Sequence, residues 1–63
     1  MEKKIEICLE IHRETKKSFL VSDDGGNMAL LPKSQIEHSP DAQVGDTIGF
    51  EMPEWLAIGK GFV

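Results

Sequence analysis

The sequence predicts a mainly β domain, a small antiparallel barrel of SH3-like or OB-like type with a short C-terminal helix. Three observations carry this. Apolar and polar residues alternate with a period of two from Lys3 to His12. A turn-forming cluster, Asp23-Asp24-Gly25-Gly26-Asn27, separates two short apolar runs. Two prolines, Pro32 and Pro53, each stand where an apolar run ends and an amphipathic turn begins.

The alternation puts Ile5, Ile7, Leu9 and Ile11 on one face of the first strand and Glu6, Cys8, Glu10 and His12 on the other. The charged run Arg13-Glu14-Thr15-Lys16-Lys17 reads as a solvated turn. Ser18 to Ser22, with Phe19, Leu20 and Val21 at its centre, is the second strand. In the glycine-rich turn that follows, Gly25, Gly26 and Asn27 tolerate positive φ, and the Asp side chains accept from local backbone N–H groups. Met28 to Leu31 is the return strand, and Pro32, which has no N–H to give a ladder, ends it. Lys33-Ser34-Gln35-Ile36 reads as one helical or 3₁₀ turn with Ile36 pointing inward. Glu37 to Gln43 is a polar loop, and Val44-Gly45-Asp46 turns the chain into a strand from Thr47 to Met52. Pro53 opens a helix with Glu54 beside its positive end. Trp55, Leu56 and Ile58 are expected on its apolar side, with Trp55 packing the helix against the barrel mouth. Gly59 or Gly61 ends it.

With 63 residues, the chain is the size of one domain, expected to span residues 1–63. A domain this small buries only ~60% of its extended surface, so its stability is marginal unless something adds to it. A single cysteine, Cys8, forms no internal disulfide. Good local packing or association remains, which makes a homodimer or a bound partner a reasonable expectation. A composition of 40% apolar and 29% charged residues is that of a water-soluble globular domain. No run approaches the ~18 apolar residues of a membrane span, and Met1-Glu2-Lys3-Lys4 leads into a strand pattern rather than a signal-peptide core. A cytoplasmic protein with no membrane role is expected, and one free thiol agrees with a reducing compartment.

Two segments carry a resemblance. Leu31-Pro32-Lys33-Ser34-Gln35-Ile36, followed by Val44-Gly45-Asp46 and then Pro53-Glu54-Trp55-Leu56-Ala57 with Lys60-Gly61, resembles a group of small, uncharacterised bacterial and phage domains. They are encoded in mobile-element genomes, beside genes of DNA replication or recombination. The likeness covers roughly the C-terminal two-thirds of the chain and implies a phage or prophage setting. It transfers no catalytic or binding residue.

The residues themselves argue against chemistry. Cys8 and His12 share a strand face but lie about 13 Å apart at ~3.3 Å per residue, far beyond a thiolate–imidazole hydrogen bond. Only the fold would bring His38 to Cys8. No His/Cys pair has the ligand spacing of a zinc module, and Asp23-Asp24-Gly25-Gly26-Asn27 lacks the alternating oxygens and distal Glu of a calcium loop. Gly59-Lys60-Gly61 sits at a helix end whose dipole repels anions. A non-catalytic protein without cofactor or metal is expected.

Binding of another macromolecule is the reading that remains. Net charge −4 and a pI near 4.9 disfavour general phosphate-backbone binding and suit an acidic surface that docks on a basic partner. A protein partner is therefore favoured, with Glu6 and Glu10 on the outer strand face as contact residues. Phe62, in the apolar tail Gly61-Phe62-Val63, serves equally well as core filler or as contact. The alternative is an accessory single-strand nucleic-acid binder using Lys16, Lys17 and Lys33, supplemented by Arg13 and Lys60, with Trp55 for stacking. Phe19 and Phe50 fall in the apolar phase of their strands and are assigned to the core.

Overall fold

The computed structural model describes residues 3–63. Four strands form one antiparallel sheet: β1 (Lys4–Glu14), β2 (Ser18–Ser22), β3 (Met28–Pro32) and β4 (Thr47–Pro53), in the order β3-β2-β1-β4. A 3₁₀ turn (Lys33–Gln35) follows β3, and a helix, α1 (Glu54–Gly59), follows β4. The sheet is open, with β3 and β4 as its two ends.

The alternation of β1 is expressed as read. Leu9 and Ile11 are buried, Ile5 and Ile7 half-buried, and Glu6, Cys8, Glu10 and His12 exposed. The strand runs two residues further than its alternation, into Arg13 and Glu14. The cause is a bulge: Ile11 pairs with Val21 and Arg13 with Leu20, which leaves His12 as the extra residue. A bulge breaks the period of two and bends the strand, so the pattern stops being legible where the pairing continues. The turn that follows is closed at Thr15, whose N–H bonds the Ser18 carbonyl at 2.8 Å and whose hydroxyl accepts from Ser18 N–H at 3.0 Å.

The β2–β3 hairpin turn is built around one carboxylate. Asp23 Oδ1 accepts from Gly25 N–H and Asn27 N–H, both at 2.9 Å, and Oδ2 from the Asn27 amide at 3.1 Å. Gly26 takes φ +84°, a region that costs a side chain but not glycine.

Leu9, Ile11, Phe19, Val21, Leu31, Ile36, Phe50, Met52, Leu56 and Ala57 make the core. The His38 ring stands edge-on to Phe19, centroids 4.8 Å apart, on this inner side. Helix α1 closes the core with Leu56 and Ala57. Trp55 and Ile58 face outward, 53% and 58% exposed, against the expectation that Trp55 packs the helix down. The reason lies at the C-terminal end. Gly61 (φ +81°) donates to Ile58 C=O and Phe62 N–H to Ala57 C=O, the paired bonds of a Schellman cap. That cap folds Phe62 back beneath the helix, where it packs on the core, and α1 turns Leu56 and Ala57 inward.

Candidate functional site

The outer face of the sheet is where the acidic residues gather, and the ladder parity explains how. Glu54 N–H bonds Lys3 C=O and Ile11 N–H bonds Asp46 C=O, so in the β1–β4 ladder the odd residues of β1 carry the hydrogen bonds. Glu6↔Glu51, Cys8↔Gly49 and Glu10↔Thr47 are then the close, non-hydrogen-bonded pairs, with Cα atoms ~4.5 Å apart and side chains side by side. Backbone groups of Glu51 point away from β1 and exchange both bonds with Glu37, at 2.8 and 2.9 Å. Glu6, Glu51 and Glu37 therefore lie in one row across three chain segments, all of them exposed.

Like charges this close do not ionise independently. The Glu51 carboxyl donates a hydrogen bond to the Glu37 carboxylate, and the neighbouring negative charge adds to the effect, so Glu51 holds its proton above the ordinary carboxylate range. Glu37 is lowered by the same hydrogen bond and by Lys4, whose Nζ lies 3.2 Å from its Oε2. Beside this row Gly49 makes room for the Glu6 side chain. A Cβ there would stand 2.5 Å from Glu6 Oε2, because the Glu6 side chain lies flat over the glycine. The exposed thiol of Cys8 is paired across the ladder with that glycine.

At the bulge, His12 Nε2 is 2.7 Å from Ser22 Oγ and 4.0 Å from Glu10 Oε1. A relay needs the base and its orienting carboxylate on opposite ring nitrogens. Here both groups meet the same nitrogen, so the arrangement is a hydrogen-bonded surface pair. Cys8 and His38, which only the fold was able to unite, lie on opposite faces of the sheet. No group of three or more His, Cys, Asp or Glu among the described residues has the geometry to hold a metal.

The basic candidates are also brought together. Lys16, Lys17 and Lys33 line one groove of about 520 Å³ with Ser18, Pro32 and Ser34. Lys33 is already engaged: its Nζ is 2.6 Å from Glu14 Oε2 and 4.8 Å from the Phe19 ring centroid. Trp55 is not part of that groove's lining. A second cleft of about 190 Å³ runs between the 3₁₀ turn and β4, over Lys4, Glu37 and Glu51, too small for a typical organic ligand.

The outward placement of Glu6 and Glu10 is legible in the sequence; the grouping of Glu37, Glu51 and Gly49 with them is not. The alternation Phe50-Glu51-Met52 does put Glu51 outward. Its pairing with Glu6 needs the register, and the Glu37 rung comes from a segment that reads as loop. No protein-family model, curated protein or solved structure matches this chain. No helix among the described residues is long and apolar enough to cross a membrane.

Proposed function

We propose that this chain is a small non-catalytic binding module whose outer sheet face docks on a basic protein surface. One observation carries the reading: Glu6, Glu10, Glu51 and Glu37 lie on or beside one solvent-facing sheet surface, with the Glu6 side chain lying across Gly49. Such a face steers a positively charged partner and fixes its register. Phe62 is half-buried against the core, which suits a packing role. The resemblance to phage and prophage domains makes a cytoplasmic host or phage protein, a nucleic-acid enzyme among them, the partner class. The fold belonging to this reading is an SH3-like or OB-like barrel. In a flat sheet Glu37, outside β4, would lie about 19 Å from β3 at ~4.8 Å per strand. Yet the chain reaches it from Pro32 through a 3₁₀ turn and two further residues, about 13 Å. Only a strongly curled sheet permits this.

The test is affinity for a partner captured from a host lysate and then purified. Glu6→Lys with Glu10→Lys is expected to weaken binding about tenfold or more and to flatten its salt dependence, while Lys16→Glu with Lys17→Glu leaves it intact. Equal affinity for the parent and the glutamate variant would sink the proposal.

The lysine groove favours a second reading, an accessory single-strand nucleic-acid binder. It predicts oligonucleotide binding that falls steeply with salt, followed by anisotropy of a labelled oligonucleotide. No binding at low salt ends that reading and leaves protein docking.

A further inference from the structure

Among the described residues no backbone group bonds the outer edge of strand β3, and its hydrogen-bonding parity follows residue by residue. Lys33 N–H bonds Lys17 C=O at 2.7 Å and Asp23 N–H bonds Asn27 C=O at 3.0 Å. These bonds bracket the β2–β3 ladder and share its register. The backbone groups of Ala29 and Leu31 therefore point to β2, and those of Met28, Leu30 and Pro32 point to the open edge. Pro32 lacks an N–H, and it stands where no donor is needed for the β2 ladder. The edge consequently offers N–H and C=O of Met28 and Leu30, and C=O of Pro32.

The side chains of the same residues make the edge apolar. Met28 is 55% and Leu30 51% exposed, with half-buried Leu20 paired beside Leu30. Met28-Ala29-Leu30-Leu31-Pro32 carries no charge, in a chain whose net charge is −4. Pro32 protects its last position, and the Asn27 amide beside its start donates to Gly61 C=O; Met28 and Leu30 between them carry no charge or bulge.

We infer that β3 is a dimerisation strand, pairing antiparallel with β3 of a second copy about a two-fold axis at Leu30. The strand is complementary to itself in that register. The two Leu30 residues exchange both backbone bonds. Each Met28 N–H meets the other copy's Pro32 C=O, and the missing proline N–H ends the ladder on both sides. Met28 and Leu30 of both copies then form one apolar strip across the joined outer face. The assembly closes at two. Each copy spends its open edge, and at the other end of the sheet Glu51 is already bonded to Glu37. A second copy also answers the size argument: 63 residues without a disulfide gain buried surface by association.

The experiment is sedimentation equilibrium of the full chain up to millimolar concentration, with amide hydrogen exchange on the same samples. The expected mass is twice 7.0 kDa, with Met28 and Leu30 amides protected increasingly as concentration rises. Leu30→Lys places a charge in the strip. Leu30→Pro removes the outward N–H and leaves the β2 ladder intact. Both are expected to weaken association by at least about tenfold while a thermal melt shows them folded, and Glu6→Lys is expected to leave the dimer unchanged. A parent that is monomeric at every concentration overturns the inference. So does a dimer that both folded Leu30 variants retain, or protection of these amides that appears only when a foreign chain is added.

Discussion

Glu51 is the residue whose behaviour the sequence conceals most. Its carboxyl donates to Glu37, so its folded pKa is raised, and its contribution to stability is complete at low pH and lost as pH rises through that raised value. Glu37 is lowered, so its contribution is present above its unfolded pKa and lost as pH falls through the folded one. Together they stabilise most within the ordinary carboxylate range, where the pair holds one proton. Glu51→Gln keeps an N–H donor for Glu37 and removes the titration. Its urea midpoint is expected to gain on the parent as pH rises towards neutral, and parallel profiles for the two proteins would refute the shared proton. Gly49 is the other informative position. Gly49→Ala meets only the flexible end of Glu6, so stability is expected to change by less than about 1 kcal/mol. A Glu6 carboxyl resonance unmoved by this change would show that the side chain does not lie over the glycine.

Helix α1 is too short to hold itself together and depends on what it buries. Leu56 is 6% exposed and Trp55 53%. Leu56→Ala is expected to cost about 2–4 kcal/mol and Trp55→Ala about 1 kcal/mol or less, measured by urea unfolding. Equal costs would mean the helix is turned the other way. The cap that sets this orientation depends on Gly61. Gly61→Ala forces a side chain into φ +81° and is expected to lower stability by about 1 kcal/mol. Asp23 plays the corresponding part in the hairpin, accepting from the Gly25 and Asn27 backbones and the Asn27 amide. Asp23→Ala is expected to cost about 1–2 kcal/mol, and Asp24→Ala, whose side chain plays no part in those three bonds, markedly less. In β1 the bulge at His12 brings the ring to Ser22, a placement that strict alternation does not produce.

For the molecule as a whole, the two candidate surfaces are built from different charged residues and adjoin at Ser34. The carboxylate row crosses β1 and β4, while the lysine groove lies where the β1–β2 turn meets the 3₁₀ turn. At ~0.15 M salt, where charges are screened beyond ~8 Å, reversal at Glu6 and Glu10 is expected to change partner affinity more than oligonucleotide binding, and reversal at Lys16 and Lys17 the opposite. A domain this small has a few kcal/mol of stability to lose, so truncation after Gly59, which removes the cap and Phe62, is expected to leave it largely unfolded by circular dichroism at 37 °C. Retention of a cooperative melt by that truncation would show that the C-terminal tail is dispensable to the core.

Local rules were enough for much of this. The period of two in β1, the Asp/Gly/Asn turn, and Pro32 and Pro53 as the last residues of β3 and β4 are legible because each is a property of adjacent residues: side-chain alternation, tolerated φ, a ring that fixes φ. Glu6 and Glu10 were visible as an outer face for the same reason. What only the tertiary structure decided involves residues distant in sequence. Register set Glu6 against Glu51, and the curl of the sheet brought Glu37 to the far edge of β4. The Schellman cap, through Phe62, chose Leu56 and Ala57 over Trp55 as the buried side of α1. Hydrogen-bond parity left β3 as the edge where Met28 and Leu30 stand open. Pairing register and sheet curvature are solved by the core collectively, and no window of neighbouring residues contains them.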